Sequence, residues 1–221
     1  WGMSTRMVGA VVMSHGDDQG LILPPRLAPT QVVIVPIWRK DKQRTLVLEA
    51  ADKLRQRLQD TVRVEVDVRE ELSPGWKFND WEMRGVPLRI EIGPRDIEND
   101  QVMLARRDVP GRDGKVAVPM DGLEDAVPEK LDEIQDAIYQ RALDFRESHT
   151  WNVDTCDELK EVVQEGFARA WWAGDSEDEA RLKEETKATV RCIPLEQPEG
   201  GRKCVYTGKA ASEIAIFGRA Y

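Results

Sequence analysis

The residues best suited to chemistry lie between Pro74 and Asp96. That stretch holds the rings of Trp76, Phe78 and Trp81, the carboxylates of Asp80, Glu82 and Glu91, and the cations Lys77, Arg84, Arg89 and Arg95. Unpaired bases are read by stacking on rings and by hydrogen bonds to their edges. Guanine presents acceptors at O6 and N7, which suit an arginine. Its N1 and N2 donors suit a carboxylate, which only accepts. Trp, Arg and Glu close together therefore fit a base-reading set. The same residues also fit two core tryptophans beside a solvated strand face.

A second candidate is Arg6, which follows Trp1-Gly2-Met3-Ser4-Thr5 and precedes the apolar run Met7–Met13. An arginine entering a buried segment must be paired or must face a ligand; at the end of a surface element it is only a solvated charge. The two histidines are His15 and His149. His149 closes an acidic helical stretch and reads as a surface residue. His15 sits in a Gly/Asp turn and is the better candidate for lining a site. No nucleophile triad assembles from this set, and no Gly-rich phosphate loop occurs.

These side chains need elements to position them. Met7–Met13 is uniformly apolar and reads as a buried helix or a buried strand. Residues 23–29, rich in proline, read as an extended linker. Gln31–Ile37 reads as a buried strand. Lys42–Leu58 places Leu46, Ala50, Leu54 and Leu58 on one helix face. Val62, Val64, Val66 and Val68 alternate with Arg63, Glu65 and Asp67, as in a strand with one wet face. A short helix over Trp76–Arg84 follows, then strands at Val86–Ile92 and Val102–Arg107. Arg112-Asp113-Gly114 predicts a hairpin turn with Lys115–Pro119 returning. Leu123 to Phe145 steps through a long amphipathic helix. The order β-α-β-α-β-β-β-α argues for a mixed sheet with helices packed on it.

Downstream, Thr155 with Glu158 predicts a capping box opening a helix through Ala170. Ser176 with Glu179 predicts a second, short helix. Three brief strands are expected at Ala188–Pro194, Lys203–Tyr206 and Glu213–Phe217. The fold class expected is α/β: a mixed sheet flanked by helices, followed by a small α+β C-terminal domain.

The composition, 41% hydrophobic and 33% charged, is that of an ordinary soluble protein. No run of 18 apolar residues is present, so no transmembrane helix is expected, and no signal peptide is visible. Three cysteines, Cys156, Cys192 and Cys204, argue against a disulfide framework and for a reducing cytoplasm. The first residue is Trp1 rather than Met, which reads as a fragment lacking its upstream part. The net charge of −9 argues against a nucleic-acid partner, but it is unevenly spread. Asp121–Glu185 carries 7 Lys or Arg against 20 Asp or Glu, so the remainder is net positive. Fields act locally, within about 8 Å at physiological salt, so an acidic region and an RNA-binding face are compatible.

Several stretches resemble prolyl-tRNA synthetases of the archaeal/eukaryotic-like form. Trp1-Gly2-x-Ser4-Thr5-Arg6 followed by Met7-Val8-Gly9 resembles the third signature motif of class II aminoacyl-tRNA synthetases in its prolyl form. His15-Gly16-Asp17-Asp18-x-Gly20-Leu21-x-Leu23-Pro24-Pro25-Arg26 resembles that family's junction into the anticodon domain, Pro74–Asp96 its most recognisable block, and Arg219-Ala220-Tyr221 its terminus.

The resemblance implies three parts: the end of a catalytic domain with a linker (1–30), an anticodon-binding domain (31–150) and a C-terminal domain (151–221). It implies activation of proline by ATP, with Mg, and transfer to tRNA(Pro). Arg6 matches the arginine over the adenine. Trp1, Gly2, Ser4, Thr5 and His15 become ATP- or substrate-site candidates, and Tyr221 a candidate active-site C-terminus. Glu82 and Arg89 match positions facing the two guanines of the proline anticodon. Arg84, Arg106 and Arg107 are added from their charge and position as backbone or base contacts. A homodimer is implied for the full-length protein, with no membrane and no DNA partner.

Many members of this form hold a structural zinc through four cysteines. The matching positions here are Ala173, Asp178, Cys204 and Thr207. One thiol and one carboxylate fall short of four soft or imidazole ligands, so no zinc is expected, with packing around Trp171 and Trp172 in its place. The alternative reading is a stand-alone anticodon-domain protein that binds RNA or serves as an accessory subunit without catalysis.

Overall fold

The computed structural model describes residues 2–219, so Trp1 and Tyr221 lie outside the described residues. The chain forms two compact units divided at Ala142–Leu143.

In the first unit the order is α1 (Arg6–His15), β1 (Val32–Pro36), α2 (Asp41–Leu58), β2 (Val64–Val66), α3 (Pro74–Met83), β3 (Leu88–Ile92), α4 (Pro94–Glu98), β4 (Gln101–Arg106), β5 (Lys115–Pro119) and α5 (Leu123–Ser148). The sheet order is β2-β1-β3-β4-β5. β1 pairs in parallel with β2 and β3, and the β3-β4-β5 part is antiparallel. This is the mixed sheet expected from the alternation.

β1 is buried along its whole length because both sheet faces are covered. Val32 and Ile34 join Leu88, Ile90, Val102 and Leu104 against α2 and α5. Val33 and Val35 face Trp81 and Phe78 of α3. That second layer fixes α3 over the sheet face carrying Arg89 and Glu91.

Four expectations shift in this unit. Met7–Met13 is a helix but not a buried one: α1 has no buried residue, and Met13 is 77% exposed. The buried face of α2 runs through Val47, Ala51, Leu54 and Leu58, leaving Leu46 half exposed. β2 is only three residues long, and past its end the alternation inverts. Asp67 is buried and Val68 is exposed, because Asp67 turns inward to Arg69, Trp81 and Lys77. The short helix α4 was not expected; its Asp96 carboxylate accepts the Gly93 N–H at 2.8 Å, closing a capping box.

The second unit contains β6 (Thr150–Asn152), α6 (Cys156–Val162), β7 (Phe167–Trp172), α7 (Ser176–Thr186), β8 (Ala188–Cys192), β9 (Arg202–Lys203), β10 (Ala210–Ala211) and β11 (Glu213–Arg219). Its four-stranded sheet runs β6-β7-β11-β8. Leu159 of α6 and Leu182 of α7 pack on Ala168, Ala170, Ala215 and Phe217.

The helix expected through Ala170 stops at Val162. Gly166 then passes so close to His149 that a Cβ there would lie 2.3 Å from the His149 carbonyl oxygen. From Phe167 the chain alternates, with Ala168 and Ala170 inward, as a strand must. The cap of α7 is Asp175 rather than Ser176, reciprocated by Asp178. The expected box at α6 forms: Thr155 Oγ1 accepts the Glu158 N–H at 3.2 Å, and Glu158 accepts the Thr155 N–H at 3.1 Å. Thr155→Ala is therefore expected to lower stability by about 1 kcal/mol, read as a lower urea midpoint. An unchanged midpoint would show that the box contributes nothing.

Candidate functional site

α3, β3, β4 and the loop entering β5 enclose an open cleft of about 490 Å³. Its floor follows from strand register. Arg89 on β3 stands opposite Ala105 on β4, which stands opposite Lys115 on β5. The small Ala105 leaves room between the two cations. Ser73 caps α3 by accepting the Trp76 N–H, and Pro74 sits in the first turn; α3 then presents Phe78 and Glu82 to the same cleft.

The charges are tightly interlocked. The Arg89 side chain is 9% exposed and binds Glu82 at 2.8 Å and Glu91 at 3.0 Å. Its guanidinium lies 4.1 Å from the centroid of Phe78. Lys115 binds Glu91 at 2.7 Å and stands 5.3 Å from the same ring. Five cations line the cleft, and four of them are paired: Arg89 with Glu82 and Glu91, Lys115 with Glu91, Arg106 with Asp108 and Glu133, and Arg107 with Asp17; Arg112 has no ion pair among the described residues.

Such an arrangement can exchange partners with a guanine. The base offers donors to Glu82 and acceptors to Arg89, so neither ion is left unpaired when their mutual bridge opens. Phe78 supplies a ring surface, although Arg89 already covers part of it.

Four of the sequence candidates, Glu82, Arg89, Arg106 and Arg107, meet in this cleft. Arg84 does not: it stacks over Trp81 at 4.9 Å and pairs with Asp80 at 3.2 Å. Arg106 is held by Asp108 at 2.7 Å and Glu133 at 3.3 Å. Arg107 is unsuited to a phosphate contact. Its side chain is 3% exposed, its Nε donates to the Glu82 carbonyl at 3.0 Å, and its two Nη atoms bind Asp17 at 2.9 and 2.5 Å. That bridge pulls the Asp17 pKa down to about 2. Phe78 and Glu91 belong to the stretch singled out in the sequence, without an individual role there, whereas Arg112 and Lys115 lie outside it. The Asp113-Gly114 hairpin held the signal for Lys115, since its register carries that residue alongside Arg89.

Of the other candidates, Gly2, Ser4, Thr5, Arg6 and His15 do not line the cleft. Gly2, Ser4, Thr5 and Arg6 are exposed at the start of α1, and the Arg6 side chain has no hydrogen bond or ion pair among the described residues. His15 is half-buried, with no hydrogen-bond partner for Nδ1 among the described residues. Burial and then the nearby Arg141 lower its pKa.

In the second unit the zinc-ligand positions fit other roles. The buried Cys204 sulfur accepts the Thr207 N–H at 3.5 Å. Asp178 faces Lys209 at 3.8 Å and Arg181 at 3.9 Å. Among the described residues, no three His, Cys, Asp or Glu side chains group to hold a metal. Trp172 packs edge-on against the core Phe217, with ring centroids 5.3 Å apart. No helix of the described residues is long and apolar enough to cross a membrane.

Two family models match the chain. One, described as anticodon binding domain, covers residues 31–130; the other, described as prolyl-tRNA synthetase, C-terminal, covers residues 156–221. Similar curated proteins include a "Proline--tRNA ligase" of Roseiflexus sp. (strain RS-1), 57% identical over all 221 residues and 46% of that protein's length. One of Chloroflexus aurantiacus (strain ATCC 29366 / DSM 635 / J-10-fl) is 54% identical over the same shares. A "Proline--tRNA ligase, chloroplastic/mitochondrial" of Arabidopsis thaliana is 51% identical, covering the whole chain and 42% of that protein. The chain thus spans somewhat less than half the length of the curated relatives it matches.

Proposed function

Because this chain belongs to the prolyl-tRNA synthetase family and corresponds to its C-terminal part, we propose that it reads the anticodon of tRNA(Pro) through the cleft around Glu82 and Arg89. The observation that carries this is the Glu82–Arg89 pair laid against Phe78 in a cleft also lined by Lys115 and the exposed Arg112. Cations attract the phosphate backbone whatever the sequence. The paired acceptor and donor add the choice of base.

The whole protein, on this reading, activates proline with ATP and Mg and transfers it to tRNA(Pro), as a cytoplasmic homodimer. Arg6 is the candidate for the adenine contact, with Gly2, Ser4, Thr5 and His15 as further ATP- or substrate-site candidates; Trp1 and Tyr221, the remaining candidates, lie outside the described residues. Residues 1–30 form the end of the catalytic domain with its linker, 31–150 the anticodon-binding domain and 151–221 the C-terminal domain. The side chains at Ala173, Asp178, Cys204 and Thr207, which supply one thiol and one carboxylate, do not fit a zinc ion. Reading the chain as a stand-alone accessory protein is not favoured, because proteins named proline--tRNA ligase match it end to end.

The test is binding of the 221-residue chain to two RNA hairpins at fixed salt. One carries the proline anticodon, and the other has its two guanines replaced. The expected preference is about 1–3 kcal/mol per guanine. Equal affinity for the two would defeat the reading.

A further inference from the structure

Beyond α1 the chain makes a tight turn, Asp17–Gly20, closed by mutual backbone hydrogen bonds of 3.0 Å between its end residues. This turn belongs to the cleft. Gln19 lines it, although residues 17–20 lie outside the stretch that the anticodon-domain model matches.

The turn is held from two sides. Arg107 binds the Asp17 carboxylate through both Nη atoms while its Nε holds the Glu82 carbonyl. One guanidinium thus spans from the turn to the residue that pairs with Arg89. Past the turn, the Leu21 N–H donates to the Met83 carbonyl at 3.1 Å. Gly20, at φ +131°, approaches so closely that a Cβ would lie 2.5 Å from the Met83 Cα. The same Asp17 carboxylate accepts the Gln19 N–H at 2.9 Å, setting the direction in which residue 19 leaves the turn. The Gln19 carboxamide makes no hydrogen bond among the described residues. An exposed amide with both a donor and an acceptor, held at the rim of a cation-lined cleft, is suited to a polar contact with a nucleotide.

We infer that Gln19 is a further RNA-contacting residue of this cleft, and that the Asp17–Arg107 pair is the device that positions it. The inference rests on the anticodon reading above. Asp17 is a positioning residue: its carboxylate is consumed by Arg107 and by the turn's own backbone.

The experiment uses the 221-residue chain and the two hairpins already described, at fixed salt, with the variants Gln19→Ala, Asp17→Asn and the double variant. Gln19→Ala should weaken binding of the proline-anticodon hairpin about threefold to tenfold, the range of one neutral hydrogen bond. Asp17→Asn should weaken it similarly in the parent but add little to Gln19→Ala, because its effect passes through that side chain. A purely structural Asp17 would cost the same in both backgrounds. That result, or a Gln19→Ala variant binding as tightly as the parent, would overturn the inference. The parent's preference between the hairpins separates the two failures. Its absence defeats the anticodon reading and this inference with it. A preserved preference with an inert Gln19 defeats this inference alone.

Discussion

Asp67→Ala is expected to destabilise the first unit by about 3–5 kcal/mol, the range found when one partner of a buried ion pair is removed. The Asp67 side chain is fully buried and accepts Arg69 Nη2 at 2.6 Å, Trp81 Nε1 at 2.8 Å and the Arg69 N–H at 3.1 Å. Lys77, also buried, stands 3.6 Å from it and donates to the Asp67 backbone carbonyl at 3.0 Å. Without the carboxylate, an ammonium and an indole N–H remain in the interior with too few acceptors. Urea denaturation at neutral pH measures the loss. Asp67→Ala combined with Lys77→Met should recover part of it, because an apolar replacement leaves no orphaned charge. A loss under about 1 kcal/mol would show that water reaches these groups freely.

The same carboxylate sets a pH dependence. Burial alone would raise its pKa, but the hydrogen bonds from Arg69 and Trp81, with Lys77 nearby, outweigh burial and hold it well below the usual carboxylate range. A depressed folded-state pKa gives stability that is fully present above the unfolded value, about 3.9. That stability is lost as the pH falls from there through the folded value. The gap between parent and Asp67→Ala should therefore be full at pH 7 and narrow below about pH 4.

Asp67, which the alternation places on a wet face, marks where sequence pattern stops. The alternation from Val62 to Val68 is real, but it serves a strand of only three residues. Beyond it a tertiary demand, the Trp81 indole and the Lys77 ammonium, turned the pattern over. The long elements were legible, because α2, α5 and the β4–β5 hairpin each carry a period or a turn signal of their own. Phe167–Ala170 reads as the end of a helix, because a capping box at Thr155 marks a start and nothing local marks a stop at Val162. The stop is a close approach to His149, visible only in three dimensions. In the cleft, Glu82 and Arg89 stood out by residue type and by resemblance. Arg107 had the right charge, yet its role depends on Asp17, ninety residues away.

The other large effect concerns recognition. Arg89→Lys should reduce the preference for the proline-anticodon hairpin over its guanine-replaced counterpart by about tenfold or more. Lysine keeps the charge, so Glu82 and Glu91 retain a cation, and overall attraction to RNA should change much less. It loses the planar fork that meets two acceptors at once and the flat surface that lies on Phe78. Arg89→Ala confounds the two effects, since it leaves Glu91 with Lys115 alone and Glu82 with no cation in place of Arg89. Glu82→Gln is the complementary change. Its amide still accepts through oxygen but turns an N–H₂ toward donors of the base, so preference should fall more than affinity. The quantity to compare is the ratio of the two hairpin affinities at one salt concentration, because the absolute values move with salt. If Arg89→Lys and Glu82→Gln both keep the parent's ratio, the pair is scaffolding for α3, and base selection lies elsewhere in the molecule.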